Sequence, residues 1–340
     1  MKKISIIIVN YNGKKWLKKC LDSLLCQTYK NFEIIFVDNS SIDESVEFVK
    51  NNYNGKNIII KETGENLGFA GGNNAGFKIA TGEFILLLNN DTWVEANLLE
   101  KLIKAFEEIP NLGSVQPKII LMDDHSKLDS CGSFWTDSSF IYHYGFGTKE
   151  HLEKYNKIMP VFSNKGSAMM MRKDILDKIG LFDDDFWCYY EETDLCHRLW
   201  ISGYECWYYP KTICYHAMGG TSLGFNNSYI QFNNFKNKLL SFLKNFEAGT
   251  LVRILPVYFI INIGVSVLWL IRGKFSHFMA IYKAMFWNIK NITKTIEKRG
   301  FIQKNLRKVS DRAIFKKVKR NPKLNYFYYL LNASQDYADE

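Results

Sequence analysis

Apolar residues fall in short blocks along the first third of the chain, and each block stops at a polar cluster. Ile4 to Val9 reads as a strand ending in Asn10-Tyr11-Asn12-Gly13. Glu33 to Val37 reads as a second, ending in Asp38-Asn39-Ser40-Ser41-Ile42-Asp43, and Asn57 to Lys61 as a third, ending in the glycine-rich stretch from Asn66 to Gly76. The fourth, Glu83 to Leu88, contains Leu86-Leu87-Leu88 after Phe84 and Ile85, an unbroken run expected of a strand buried on both faces. It stops at Asn89-Asn90-Asp91-Thr92.

Between these blocks the spacing turns helical. Leu17, Cys20, Leu21, Leu24 and Leu25 share one face, Ser45 to Asn51 forms a second helix, and another opens out of the glycine loop. Leu98, Leu99, Leu102, Ile103 and Phe106 mark a fourth, closed by Pro110. Strict β-α alternation predicts a parallel, doubly wound sheet with right-handed crossovers. From Gly113 to Pro160 the pattern loosens into short strands and aromatic loops. It tightens again at Lys165 to Arg172, and Asp174 reads as the N-cap of a short helix ending at Gly180. An acidic, aromatic stretch from Phe182 to Leu195 then leads into a helix carrying Leu199, followed by a strand that reaches Cys214-Tyr215-His216.

The chain has 340 residues, 47% of them hydrophobic, enough for one large domain and an appendage. The net charge of +9 is concentrated near the end. Eleven Lys and Arg lie between Lys294 and Arg320, opposed only by Glu297 and Asp311. Seven cysteines without a CxxC pair read as reduced, mostly buried thiols of a cytosolic protein. The Ile4 to Val9 run is too short for the apolar core of a signal peptide.

In a parallel sheet the four polar clusters lie on one edge, where ligands of open α/β sheets bind. Tyr11 could stack on a flat base, and Asp38 could accept a hydrogen bond from a base imide or ribose. The amides opening the helix after Gly68 favour phosphate, and Asp91 could hold a divalent cation. Each cluster alone is also ordinary turn chemistry, and Asp91 could cap a helix starting near Val94. Together they suit a nucleotide diphosphate with a cation. The glycine loop follows the third strand and lacks GxGxxG spacing, which excludes a dehydrogenase fingerprint. Glu191, Glu192 and Asp194 crowd one helix start. They could serve the helix dipole, or raise one another's pKa as a general base requires. Phe186, Trp187, Tyr189 and Tyr190 could stack on sugar faces or fill a core. His216 alone reads as a structural histidine.

Taken jointly, these residues resemble family 2 glycosyltransferases of the GT-A fold, over about residues 3 to 220. Val9-Asn10-Tyr11-Asn12 resembles the opening motif and Val37-Asp38-Asn39-Ser40-Ser41 with Asp43 the nucleoside-binding turn. Asn66-Leu67-Gly68-Phe69-Ala70-Gly71-Gly72-Asn73-Asn74-Ala75-Gly76 is the most specific stretch and resembles a rhamnosyltransferase-like branch. Asn89-Asn90-Asp91 stands where the family has its metal motif. Phe182-Asp183, Tyr190-Glu191-Glu192-Thr193-Asp194-Leu195 and Arg198 resemble the acceptor-side motif with its catalytic base. His216, 216 − 192 = 24 residues beyond Glu192, stands where relatives place a second metal ligand.

The resemblance implies inverting transfer of a sugar, rhamnose or similar, from a nucleotide-diphosphate donor to a hydroxyl of a glycan acceptor, lipid-linked in many relatives, in cell-surface polysaccharide synthesis. It assigns Glu192 as base, with Glu191 as substitute. Donor binding falls to Asn10, Tyr11, Asp38, Asn66, Gly68, Gly71, Asn73, Asn90 and Asp91, and acceptor binding to Trp187, Tyr190, Asp194 and Arg198. Asp91 and His216 would hold a manganese or magnesium ion. The chain departs from the family twice: Glu192 replaces the usual Asp, and the metal turn has one carboxylate. A degenerate, non-catalytic sugar-nucleotide-binding protein and a nucleotidyltransferase are the competing readings.

The expected division is a catalytic domain over 1-224, with a donor half to about 112 and an acceptor half from 113, then a helical region over 225-340. Leu255 to Ile271 is uncharged for 17 residues, short of the roughly 20 that span a bilayer and interrupted by Asn262. Phe278, Ile281, Tyr282, Met285, Phe286 and Ile289 form one helical face, and Trp269 and Trp287 suit a headgroup boundary. The expectation is a peripheral enzyme on the cytoplasmic face of the cell membrane, held by apolar burial and by anionic lipid under the basic run. A spanning helix, and a helical appendage packed on the catalytic domain or a second copy of the chain, are the alternatives. No nucleic-acid recognition motif accompanies the basic run.

Overall fold

The computed structural model describes residues 2–217, 227–323 and 326. The expected domain boundary at 224/225 lies outside them. The first half alternates β1 (Ile4–Asn10), α1 (Lys14–Leu25), β2 (Phe32–Asp38), α2 (Ser45–Asn52), β3 (Ile58–Glu62), α3 (Gly68–Phe77), β4 (Phe84–Leu88), β5 (Thr92–Val94) and α4 (Leu98–Glu108). Then come β6 (Leu112–Leu121), β7 (Leu128–Ser130), β8 (Ser133–Trp135), β9 (Ile141–His143), β10 (Met159–Pro160), β11 (Ala168–Arg172), α5 (Lys173–Ile179), α6 (Glu191–Ile201) and β12 (Glu205–His216). The remainder is helical: α7 (Asn227–Asn245), α8 (Ala248–Ile271), α9 (Phe275–Lys290), α10 (Ile292–Phe301) and α11 (Asp311–Val318).

The main sheet runs β10-β12-β6-β11-β4-β1-β2-β3. β3, β2, β1 and β4 are parallel, as their apolar runs predict. β1, β2 and β4 are buried on both faces, whereas the edge strand β3 is largely exposed: Ile4, Ile6 and Ile8 enter one core, with Leu17, Cys20, Leu21 and Leu24, while Ile7 enters the other, with Ile35, Val37 and Leu87. Beyond β4 the sheet is mixed. β11 is antiparallel to β4 and β6, and β12 runs parallel to β6. The glycine stretch is largely helix rather than loop, because α3 must lie close on β1. A methyl group on Gly76 would fall 2.6 Å from Ile7 Cγ2.

Two local expectations change. Residues after Asp91 form β5, antiparallel to the end of β12 with His216 opposite Thr92, and the next helix starts only at Leu98. Asp91 therefore caps no helix near Val94. Arg172, not Asp174, stands at the N-cap of α5, and Asp174 lies inside its first turn, paired with Arg172.

α8 is long and apolar enough to cross a membrane, by length and composition only. Asn262 does not interrupt it. Its side chain is turned into the protein and donates to the Tyr258 carbonyl at 2.6 Å. The expected single face of α9 is two: Ala280, Ile281, Ala284 and Asn288 are packed, while Phe286 (66% exposed) and Ile289 are open. Seven of the eleven basic residues have partners within the chain, although Lys294, Lys317, Lys319 and Arg320 stay at the surface. Lys294 and Lys298 pair with Asp185, and Lys298 with Asp183 as well. Arg299 and Arg307 bind carbonyls of α7, Lys317 pairs with Glu205, Lys319 with Asp137, and Arg320 lies over Phe134. Lys304, Lys308, Arg312 and Lys316 remain exposed. Trp287 lies against the core under Lys236, whereas Trp269 stays at the α8–α9 turn beneath Arg272 and Lys274.

Candidate active site

The carboxyl ends of β1, β2 and β4 are tied by a chain of buried amides. Asn90 Nδ2 donates to Asn10 Oδ1 at 2.7 Å, and Asn10 Nδ2 donates to Asp38 Oδ1 at 3.2 Å and to Ser41 Oγ at 3.0 Å. The other Asp38 oxygen accepts the Ser41 amide at 2.9 Å. Asn10 and Asp38 thus stand behind the surface as a brace. Neither lines the cavity, although each Asp38 oxygen accepts one hydrogen bond here and keeps a further lone pair.

In front of this brace lies a cavity of about 640 Å³, lined by Tyr11, Asn66, Gly68, Asn90, Asp91, Lys165, Trp187, Tyr190, Glu191, Glu192 and His216, among others. Asp91, His216 and Glu192, far apart in the chain, therefore share one cleft. The β5–β12 pairing delivers the first two. His216 Nε2 lies 3.4 Å from Asp91 Oδ1, and His216 Nδ1 lies 2.8 Å from Asp129 Oδ2. The other Asp129 oxygen accepts from Lys165 at 2.6 Å. Burial opposes a charge on His216, but the hydrogen bonds to Asp129 and Asp91 outweigh it and raise the pKa to about 9. Burial likewise opposes the charge on Asp129, which Lys165 and His216 hold ionised.

This donor set fits a hard divalent cation. It offers a carboxylate oxygen and, once a cation displaces the His216 proton, an imidazole nitrogen side by side, and the far ring nitrogen is fixed by a carboxylate, as in many metal-binding histidines. Among the described residues no group of three or more His, Cys, Asp or Glu would hold a metal alone. Asp91 and His216 would need a diphosphate to complete the shell.

Gly68 closes the wall formed by the start of α3. Its φ is +71°, and a Cβ there would fall 2.4 Å from the Trp187 carbonyl oxygen. Asn39 donates to the Gly68 carbonyl at 2.8 Å, and Trp187 Nε1 to the Asn66 carbonyl at 3.4 Å. Gly71 and Asn73 do not line the cavity. A Cβ on Gly71 would meet Leu67, and Asn73 is buried, donating to the Phe69 carbonyl. Their proximity to Gly68 in sequence does not carry over, since α3 turns them away from the cavity and Gly72 and Gly76 toward the sheet.

The opposite wall starts α6. Tyr189 and Tyr190 both have positive φ, 70° and 71°, a strained turn that aims Glu191 and Glu192. Asn237 of α7 holds it by donating to the Cys188 and Tyr189 carbonyls at 2.8 and 2.7 Å. Burial and then the Glu192 charge push the Glu191 carboxyl well above the usual range, and its Oε2 has no hydrogen-bond partner. Glu192, half-buried, is raised by burial too, but the charge of Lys165 opposes that rise. Both carboxyls are thus pushed toward the neutral form, Glu191 further than Glu192. Asp194 and Arg198, expected on the acceptor side, are buried and do not line the cavity. Asp194 is bound to Arg198 at 2.9 Å, to Asn245 at 2.9 Å and to Lys244, and Arg198 spends its other donors on the carbonyls of Ile179, Gly180 and Leu181.

A mixed sheet whose strand ends gather a carboxylate–imidazole pair opposite a carboxylate couple is the architecture of a GT-A glycosyltransferase. The Glycosyl transferase family 2 model matches residues 5–180, and the chain belongs to that family. It is 25% identical over 245 residues to the low-salt glycan biosynthesis hexosyltransferase Agl10 of Haloferax volcanii, covering 70% of this chain and 75% of that one. It is 38% identical over 99 residues to WfaP of Escherichia coli, a UDP-Glc:alpha-D-GlcNAc-diphosphoundecaprenol beta-1,3-glucosyltransferase, covering 29% and 39%. It is 36% identical over 106 residues to the glycosyltransferase GlyA of Streptococcus pneumoniae, covering 31% of this chain but only 15% of GlyA. Among solved structures, GalNAc-T7 with UDP, GalNAc and Mn2+ superposes with a TM-score of 0.57 at 15% identity, covering 72% of this chain and 49% of that one. The mannosyltransferase PcManGT of Pyrobaculum calidifontis, in complex with GDP-Man and Mn2+, gives 0.52 at 14% identity, covering 97% and 84%. These likenesses carry the fold.

Asp129, Lys165 and His143 at this site had no sequence signal. Asp129 sits in the loosely patterned stretch, and only the β6–β7 pairing carries it to His216.

Proposed function

We propose that this transferase inverts the anomeric centre as it moves a hexose from a nucleotide-diphosphate donor to a hydroxyl of a lipid-linked glycan. Rhamnose on thymidine diphosphate heads the list of donors, from the branch that the Asn66 to Gly76 stretch resembles. The observation that carries the reading is that Glu192 and the Asp91–His216 pair line one cavity. Glu192 takes the proton of the acceptor hydroxyl as that oxygen attacks the anomeric carbon from the face opposite the departing diphosphate. Glu191, whose neutral form is favoured by burial and by the Glu192 charge, leaves that charge to its neighbour. Tyr11 stacks on the base, and Asn66 and Gly68 border the phosphate space, the Gly68 and Ala70 amides being already bound to Asn66 Oδ1 and the Trp187 carbonyl. Trp187 and Tyr190 bear on the sugars. Asp91 and His216 hold manganese or magnesium, which when bound supplies positive charge against the leaving diphosphate.

The division at about residue 224 is retained as part of this proposal, with the helical region as the membrane-facing part. WfaP names a lipid diphosphate in its acceptor. Here Val252, Ile260, Ile263 and Ile271 expose a continuous flank of α8, and Trp269 lies under two cations at its end. The enzyme lies on the cytoplasmic leaflet through that flank, and anionic lipid adds the smaller share through the four free cations.

The test is Glu192→Gln, assayed with a sugar-nucleotide panel with and without manganese. The variant is expected to keep donor-induced thermal stabilisation and to lose transfer by at least a thousandfold. Transfer within tenfold of wild type removes Glu192 from the role.

A further inference from the structure

Lys238 of α7 lines the same cavity, yet it is 8% exposed and carries no hydrogen bond or carboxylate partner among the described residues. Its ammonium lies instead over ring faces: Phe140 at 3.5 Å, Tyr258 at 5.6 Å and Phe242 at 5.8 Å. Burial alone pulls its pKa down to about 7, with no carboxylate to hold it up. A buried ammonium without a counter-ion is costly. Of the neighbouring lysines, Lys244 is matched by Asp183 and Asp194, half-buried Lys165 by Asp129, and buried Lys236, off the cavity wall, donates to the Asp185 carbonyl. Two features say what would match this one. Lys238 is on the cavity wall, so an anion can reach it from the space in front of Glu192. Tyr258, one of its ring partners, belongs to α8, the helix whose far flank is apolar and exposed. Lys238 therefore stands where the cavity meets the apolar helix.

We propose that Lys238 receives the phosphate that joins the acceptor glycan to its lipid. The sugar would lie toward Glu192 and the hydrocarbon would pass along α8. This rests on the lipid-linked acceptor reading above and adds to it the residue that recognises the linkage. The phosphate supplies the missing counter-charge inside the cavity, so the ring cage excludes water from a charge pair that forms only when acceptor is present.

The experiment uses the full chain in detergent and titrates geranyl diphosphate, geraniol and inorganic pyrophosphate, without divalent cation, into wild type, Lys238→Met and Lys238→Arg. Wild type is expected to bind geranyl diphosphate about tenfold or more tightly than Lys238→Met, with geraniol unaffected and Lys238→Arg partly restored. Lys238→Met is also expected to melt at or above the wild-type temperature, because it removes an uncompensated buried charge. A merely structural lysine would lower stability and binding together, and that result overturns the proposal. So does geranyl diphosphate affinity within twofold in wild type and Lys238→Met. Lys238-dependent binding of pyrophosphate as tight as that of geranyl diphosphate assigns the site to free anions and overturns the lipid assignment. Thermal stabilisation by the sugar-nucleotide panel is recorded in the same samples. Its absence in wild type counts against the transferase reading, whereas its presence with Lys238-independent probe binding counts against this site alone.

Discussion

Lys244 offers the sharpest test of how the helical region supports the cavity. Its side chain is 1% exposed and lies among Asp183, Asp194 at 3.4 Å, and the ring of Phe186 at 4.8 Å. Asp183 and Asp194 flank the strained turn that aims Glu191 and Glu192, so Lys244→Met leaves two buried carboxylates short of one positive charge at that point. Removing one partner of a buried pair costs about 3–5 kcal/mol. Asp194 keeps Arg198 and Asp183 keeps Lys298, so we expect the lower end, about 3 kcal/mol. Unfolding entropy of about 2.1 cal/mol/K per residue over 340 residues makes this a drop of about 4 °C in Tm.

The pH dependence distinguishes a charge effect from a packing effect. Burial opposes ionisation of Asp183 and Asp194, and the Lys244 charge is the largest influence holding each below the ordinary carboxylate range. A depressed carboxylate contributes stability that is present above its unfolded pKa, about 3.9, and lost as pH falls through its folded value. Without Lys244 the folded values rise, so the variant sheds its excess negative charge earlier on acidification. The Tm gap between wild type and Lys244→Met should be full at pH 7 and clearly smaller at pH 4. Adding Asp183→Asn to Lys244→Met should recover part of the loss at pH 7. Scanning calorimetry at the two pH values decides it: a gap equal or wider at pH 4 refutes the charge argument.

Three further outcomes follow from the site. Gly68→Ala drives a methyl group into the Trp187 carbonyl at a positive φ, and should cost about 1–3 kcal/mol and weaken donor-induced thermal stabilisation several-fold; unchanged stabilisation would contradict the close approach. Glu191→Gln should keep the acid limb of the rate–pH profile, with activity rising as pH passes upward through the raised Glu192 value, whereas Glu192→Gln should abolish transfer at every pH. Asp129→Asn loosens the Nδ1 side of His216 and should weaken manganese binding in the presence of nucleoside diphosphate by about 10–100-fold, read by manganese electron paramagnetic resonance; affinity unchanged by that substitution would separate Asp129 from the cation.

What could be read from the sequence is what local pattern encodes. β1, β2 and β4 are buried on both faces, so their apolar runs are unbroken and their polar ends conspicuous. Four such ends on one parallel edge are enough to propose a shared site. Pattern fails where a residue's task is set by a partner distant in the chain. Asn10 and Asp38 have the residue types of ligand contacts, but Asn90, 80 positions beyond Asn10, turns them into a brace. Asp194 and Arg198 look like acceptor residues until Lys244 and three α5-end carbonyls claim them. The basic run looks like a lipid-binding patch because its counter-charges, Asp183 and Asp185, lie more than a hundred positions earlier for Lys294 and Lys298. The same masking works in reverse for Lys238. In sequence it is one lysine among several in a polar helix, with nothing to separate it from Lys236 or Lys244. Only burial without a carboxylate, on the wall of the cavity and against Tyr258 of the apolar helix, makes its charge an unanswered one. Matched charges explain how the helical region is held to the fold, and the unmatched one identifies where that region would touch a substrate.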